Sequence, residues 1–177
     1  MRKLIYHIAV SLDGFIADKN GNVGDFLMEG PHVDDFAQAL TTYDTVVMGR
    51  STYEFGFQFG IQPGQPAYAG LQHLIVSRSL NFESNEEVKL IKSDIAPYLQ
   101  QLKTKPGKDI WLCGGGKLAG HLLNHQLIDE LWLKINPMIL GAGITLFEGI
   151  KKSLVLSTQE CWQKKYKNGV LLQKWQL

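Results

Sequence analysis

Residues 109–118 read Asp-Ile-Trp-Leu-Cys-Gly-Gly-Gly-Lys-Leu, DIWLCGGGKL. The apolar run 110–113 has the length of a buried strand, and it breaks into Gly114, Gly115 and Gly116 before Lys117 opens a helical pattern. Strand, glycine turn and helix in that order bring backbone N–H groups and the positive end of a helix dipole to a place where no Cβ obstructs a ligand. The stretch reads either as a cradle for a phosphate or pyrophosphate, or as a tight turn without a ligand. Gly114-x-Gly116-x-x-Ala119 also has the spacing of a dinucleotide fingerprint. That fingerprint expects a carboxylate about 20 residues on, at the end of the next strand. Asp129 and Glu130 instead precede the strand 131–135, so a Rossmann half-domain is the weaker reading.

Outward from this stretch, the pattern repeats strand and helix. Residues 3–10 are apolar with little alternation, which predicts a central strand covered on both faces. Ser11-Leu12-Asp13-Gly14-Phe15-Ile16-Ala17 is an Asp-Gly turn followed by an apolar patch, and with the glycine-rich residues 18–24 it reads as a mobile loop over a site or as a plain connection. Pro31 opens a helix with Val33, Phe36, Ala37 and Leu40 at helical spacing, and Asp34 and Asp35 suit the dipole of its first turn. Residues 45–48 predict a strand ending in Gly49-Arg50-Ser51-Thr52-Tyr53-Glu54, with Ser51 as N-cap of a short helix. Residues 55–70, rich in Gly and Pro, read as a loop. Residues 72–76 form a third strand, followed by Ser77-Arg78-Ser79. Arg50 and Arg78 thus both stand at strand carboxyl ends beside hydroxyls, where open α/β sheets bind ligands and a guanidinium can take a phosphate bidentately.

A short strand at 88–91 and a helix at 94–103 lead into the glycine stretch. After it, Leu118, Leu122, Leu123 and Leu127 give the helix 117–126 its core-facing stripe. His121 and His125 lie four apart on that helix, but no Glu or third His accompanies them at ligand spacing, and no metal site is expected. Residues 130–135 predict another strand entering a glycine-punctuated loop, 136–143. Residues 154–162 and 170–177 read as two antiparallel strands joined through Asn168-Gly169.

The chain's 177 residues carry 20% charged and 45% hydrophobic side chains and a formal net charge of +1. That length fits a single domain, 1–177, burying roughly 70% of its unfolded surface. Nothing has the length of a membrane helix, and the dispersed charge offers no field for nucleic acid or an anionic membrane. Two cysteines, Cys113 in an apolar run, suit a reducing compartment and predict a cytoplasmic location.

Taken together and in order, the Ser11–Ala17 segment, Met48-Gly49-Arg50-Ser51-Thr52-Tyr53, Ser77-Arg78 and Gly114-Gly115-Gly116, each following a strand, resemble the dihydrofolate reductase superfamily. Ser11-Leu12-Asp13-Gly14 and the segment PMILGAGITLF at 137–147 look most like the reductase domain of the riboflavin-biosynthesis protein RibD and its stand-alone relatives. The resemblance implies a three-layer α/β fold with a mixed, mainly parallel eight-stranded sheet and an antiparallel C-terminal hairpin. It also implies NADPH. Gly49, Arg50, Ser51 and Thr52 would hold cofactor phosphates, Ser77 and Arg78 the adenosine 2′-phosphate, and Gly114, Gly115, Gly116, Lys117 and Leu118 the pyrophosphate. Ala9, Ile16 and Ala17 would border the nicotinamide. The carboxylate that folate reductases place on their first helix falls in register on His32 and Val33, with Asp34 only a neighbour, and the tryptophan and proline of their first loop are absent from residues 20–28.

The expected function is an NADPH-dependent reductase of a small heterocyclic or sugar-derived substrate, nearest to 5-amino-6-(5-phosphoribosylamino)uracil reductase. Dihydrofolate reduction and a non-catalytic nucleotide-binding module are the alternatives. Asp13, then Asp34, are the candidate catalytic carboxylates for substrate positioning or proton relay, with water equally placed. Relatives of the RibD reductase domain commonly pair, and the large side chains Trp162, Tyr166, Leu171, Leu172, Trp175 and Leu177 in the tail favour a homodimer.

Overall fold

Three apolar segments, β1 (Leu4–Ser11), β3 (Tyr43–Gly49) and β6 (Asp109–Gly114), form the middle of an eight-stranded sheet. With β4 (Gln72–Val76), β5 (Val88–Ile91), β7 (Glu130–Asn136), β9 (Cys161–Lys165) and β10 (Leu171–Gln176), the spatial order is β5-β4-β3-β6-β1-β7-β10-β9. Pairs from β5 to β7 are parallel, and β7–β10 and β10–β9 are antiparallel. This is the mixed, mainly parallel sheet expected, in a computed structural model that describes residues 1–157, 159 and 161–177.

The central strands are apolar on successive residues because both faces are covered. On one face α3 (Ile95–Thr104) and α4 (Gly116–Asn124) bury Leu99, Leu118, Ala119 and Leu122 against Leu4, Tyr6, Leu74 and Leu112. On the other, α1 (Pro31–Leu40) and α2 (Arg50–Phe55) bring Phe36, Leu40 and Tyr53 against Ile5, Val46, Ile75 and Trp111. The amino ends of the strands are closed by charge. Buried Arg2 pairs with Asp44 and donates to Thr45 Oγ1 at 2.8 Å, and buried Lys103 donates to the Leu127 carbonyl at 3.0 Å and pairs with Asp129 at 2.6 Å. Removing one partner of such a pair strands a buried charge. The carboxyl ends of the strands are left for the site.

Several boundaries differ from the sequence reading. Ser51 is not the N-cap of α2. Gly49 occupies that position without a side-chain bond, and Ser51 is already helical. The loop after β7 contains a short strand, β8 (Ile144–Thr145), which pairs antiparallel with β2 (Phe15–Ala17) and ties the first loop to the 137–147 segment. The strand expected at 154–162 is misplaced: residues 154–157 are mainly exposed and irregular, β9 begins at Cys161, and Thr158 and Glu160 lie outside the described residues. The Asn168-Gly169 turn does join β9 to β10. Gly169 adopts φ 89° and donates to the Tyr166 carbonyl at 3.0 Å, the left-handed residue that a three-residue hairpin loop requires. Of the bulky tail residues, Tyr166 and Leu172 are buried with Val170, Trp175 and Leu177 pack on the main core, and Trp162 stays half exposed.

Candidate active site

At the carboxyl ends of the strands lies a cavity of about 1270 Å³, bounded by β1, β3, β4, β6 and β7, by α1, α2 and α4, and by the first loop. Every residue singled out for a cofactor lines it: Ala9, Ile16, Ala17, Gly49, Arg50, Ser51, Thr52, Ser77, Arg78, Gly114, Gly115, Gly116, Lys117 and Leu118. Four strand ends separated by up to a hundred residues are brought together because parallel connections return each one to the same edge.

The three glycines serve different ends. Gly114 adopts φ 146°, which side chains avoid, and a Cβ there would stand 3.2 Å from Ile8 Cδ1. Gly116 packs so closely beneath the Thr145 carbonyl that a Cβ would overlap its oxygen. Gly115 is different: within 4 Å its added Cβ would meet only Thr52 Oγ1, at 3.5 Å. Apart from Thr52 Oγ1, no neighbour stands within 4 Å of that position. Gly115 is the N-cap of α4 and no side chain caps the first-turn N–H groups, so the open surface is one of backbone donors at a helix amino end.

Around this cradle stand cations and hydroxyls. Arg50 is half exposed and only loosely paired with Glu54, at 3.9 Å. Ser77 is buried, and its Oγ accepts from the Ser79 and Leu80 N–H groups at 3.2 and 3.0 Å, which fixes the turn that presents Arg78 and leaves the hydroxyl proton to donate. Lys117 is exposed, with Glu148 3.7 Å away. The donor set suits a dinucleotide with a third phosphate: backbone donors for the pyrophosphate and paired guanidinium and hydroxyl groups for a phosphate monoester.

The other side of the cavity is aromatic. Phe36 of α1 stacks edge-on against Trp111 of β6, with ring centroids 5.5 Å apart, and Tyr68 meets Trp111 at 4.8 Å. Tyr68 belongs to the segment read as loop, but it is held: His73 Nε2, buried, accepts the N–H groups of Ala67 and Tyr68, both at 3.1 Å. Lys134, paired with Ala9 across β1 and β7, lies over the Phe36 ring at 3.7 Å. Burial lowers its pKa to about 8, and the same burial pushes the neighbouring Cys113 thiol up to about 12. His7 also lines the cavity, with its pKa lowered by burial and by Lys134 and Lys174. Its Nε2 is the one buried side-chain polar atom without a partner among the described residues.

The two candidate carboxylates are not part of this lining. Asp13 accepts from Ser11 Oγ at 2.6 Å and from the Leu140 and Gly141 N–H groups at 3.1 and 2.7 Å, so it clamps the first loop to the 137–147 loop, and these bonds hold its pKa below the usual range. Asp34 is exposed on α1. Its neighbour Asp35 takes Lys164 Nζ and Tyr166 Oη, both at 2.5 Å. The metal reading also changes, because Asp94 comes from another element to stand with His121 and His125, their ligand atoms within 4.8 Å of one another. Asp94 Oδ1 is already the N-cap acceptor of α3, from the Ala96 N–H at 3.0 Å, and meets His121 Nε2 at 2.9 Å.

A sequence model of the RibD C-terminal domain family matches residues 2–172. The chain belongs to the RibD C-terminal domain family. The uncharacterized protein YyaP of Bacillus subtilis is 34% identical over 163 residues, covering 88% of this chain and 85% of that one. The reductase from Thermotoga maritima described as a diaminohydroxyphosphoribosylaminopyrimidine deaminase/5-amino-6-(5-phosphoribosylamino)uracil reductase superposes with a TM-score of 0.70 at 16% identity, over 99% of this chain and 56% of that one. Dihydrofolate reductase from Enterococcus faecalis, solved with NADP(H), gives 0.63 at 14% identity over 98% and 95% of the two chains. These likenesses show the dihydrofolate-reductase-like fold of this RibD-family domain. No helix among its described residues is long and apolar enough to cross a membrane.

The aromatic half was not read from the sequence. Lys134 sits in Glu-Leu-Trp-Leu-Lys-Ile-Asn and His7 in Leu-Ile-Tyr-His-Ile-Ala-Val. A polar residue flanked by apolar ones inside a strand was the available signal, since such a residue must find a partner or line a cavity.

Proposed function

We propose that this RibD-family domain is an NADPH-dependent reductase. The observation that carries the reading is the convergence of the open Gly115 cradle, the uncapped amino end of α4 and the two arginines in one cavity. Backbone donors from Gly114 to Leu118, with Thr52 beside Gly115, would hold the pyrophosphate, while Arg50, Ser77 and Arg78 would hold the adenosine 2′-phosphate. Bound NADPH supplies a hydride to a C=O or C=N carbon, and a proton must reach the heteroatom. Ala9, Ile16 and Ala17 exclude water from one side of the reacting pair, and Phe36 and Tyr68 hold a flat substrate on the other. Asp13 is occupied by its clamp, so the proton comes from water or from a group on the aromatic side. Reduction of a ribosylated aminopyrimidine is the leading reaction, supported by the family and by the lack of a folate carboxylate in register on α1.

NADPH is expected to bind more tightly than NADH. Arg50→Ala or Arg78→Ala is expected to cost about 1–3 kcal/mol for NADPH and little for NADH. Fluorescence titration of the wild type with both cofactors checks this, and equal affinities would overturn it. NADPH oxidation with 5-amino-6-(5-phosphoribosylamino)uracil or dihydrofolate then separates a reductase from a module that binds and does not react.

A further inference from the structure

The aromatic half of the cavity holds a cation with no counter-ion. Lys134 emerges from β7 between Leu133 and Ile135, and among the described residues its Nζ has no hydrogen bond and no salt bridge. Phe36 lies beneath it, and Cys113, a thiol, and His7, uncharged through burial, face it. Taking an ammonium out of water without a carboxylate is costly, and an apolar pocket that retains one polar group uses it to orient what enters. The walls also select shape. Phe36 and Tyr68, each partly exposed, line the cavity and are braced edge-on against buried Trp111 at interplanar angles of 72° and 73°, so the lining offers aromatic surface to a planar ring.

We propose that Lys134 is the docking cation for the substrate, receiving a single accepting oxygen, a carboxylate or ring oxo group, on a flat unsaturated ring held against Phe36 and Tyr68. The charge count limits the class further. A phosphate is normally met by several charged or backbone donors, and the basic groups able to provide them, Arg50, Arg78, Lys92 and Lys117, stand at the ends of β3, β4 and β5 and at the start of α4, on the glycine side of the cavity. The substrate class is therefore a planar ring with one oxygen anchor, and a phosphoryl group on it would add nothing to binding. This rests on the reductase reading only in calling the occupant a substrate; the docking itself does not.

The probes are 2-naphthoate, its neutral amide, and 5-amino-6-(ribosylamino)uracil with and without its 5′-phosphate. Binding is followed by NMR of ¹³C-labelled lysine side chains, with Lys134 assigned through Lys134→Arg, and by titration of Lys134→Met. 2-Naphthoate is expected to shift the Lys134 signal and to bind the wild type at least tenfold more tightly than Lys134→Met. The amide is expected to discriminate less between the two proteins, and the two pyrimidines to bind within about twofold of each other. An unmoved Lys134 signal overturns the proposal even if Lys134→Met does not fold. Equal naphthoate affinity for both proteins, or tenfold tighter binding of the phosphorylated pyrimidine, overturns it too. NADPH titrated into the same samples keeps the readings apart: acid docking without NADPH binding removes the reductase and leaves the docking cation, and the converse removes the docking cation alone.

Discussion

The two halves of the cavity are built by opposite means. The glycine half is a backbone cradle of consecutive residues at a strand end, with Arg50, Ser77 and Arg78 beside it, and its proposed role rests first on what side chains leave open. The aromatic half is made of side chains from α1, β1, β6, β7 and a loop, and its chemistry comes from one charge placed among rings. A backbone site tolerates sequence change around it provided the glycines stay. A side-chain site changes character with one substitution, which is how related chains on one fold diverge in substrate while sharing a cofactor.

The sharpest way to break this comparison lies within the glycine run itself. Gly116→Val places a side chain against the Thr145 carbonyl, which is backbone and cannot step aside, so a loss of about 3 kcal/mol or more is expected. The Cβ of Gly115→Val meets only Thr52 Oγ1, at 3.5 Å, and the substitution is expected to cost roughly 1 kcal/mol in stability while NADPH affinity falls at least tenfold. Urea unfolding and cofactor titration of both variants check the pair. A Gly115→Val protein that melts early and binds NADPH normally would return the stretch to a plain turn.

That contrast also marks what a sequence can carry. Strand, glycines and helix in residues 109–118 announce themselves because backbone requirements are local, and so do Arg50 and Arg78, each directly after an apolar run. β8 was missed because a two-residue strand has no periodicity, and residues 154–157 were read as strand because they are apolar, although apolar composition without a partner strand does not make one. Asp13 was read for its charge and place beside a turn. The structure instead uses both oxygens to join two loops, a role set by Leu140 and Gly141 more than a hundred residues away. Lys134 and the rings around it become a site only through register, Ala9 against Lys134, and through helix packing.

If Lys134 is retained for a ligand, it is retained against stability. Its pKa is lowered to about 8 from 10.5, a gap on the order of 3 kcal/mol, reduced by whatever water the cavity admits to Nζ. The folded state holds the proton less tightly than the unfolded chain. The penalty is therefore complete below pH ~8, shrinks as the pH rises toward 10.5 and is gone above it. Lys134→Met should accordingly be more stable than the wild type by about 1–3 kcal/mol at pH 7, with the difference fading between pH ~8 and 10.5. Cys113, raised to about 12 in the folded protein, ionises in that window only in the unfolded chain, which lowers the stability of both proteins as the pH rises, so the quantity to follow is the difference between them. Denaturant unfolding of both proteins at pH 7, 9 and 10 checks it, and a wild type more stable than Lys134→Met at pH 7 would make Lys134 a packing residue.

The smallest effect tests how the aromatic half is roofed. Phe36, beneath Lys134, is carried by α1, and its neighbour Asp35 ties that helix to the C-terminal hairpin through Lys164 and Tyr166. Lys164 and then Tyr166 hold the Asp35 carboxyl below its ordinary range. A lowered folded pKa means stabilisation that is present above the unfolded value, near 3.9, and lost as the pH falls through the folded one. The group is about one-third exposed, 35% for its side chain, so solvent screening leaves only about 0.5–1 kcal/mol. Asp35→Asn should lose that much at pH 7, and the gap to the wild type should close below pH ~4. Because α1 covers one half of the cavity and not the other, loosening it should weaken docking of a planar acid at Lys134 by about twofold to fivefold and leave NADPH affinity unchanged. If Asp35→Asn weakened both equally, the two halves would be one mechanical unit, and the division between a backbone site and a side-chain site would fail as a description of how this cavity works.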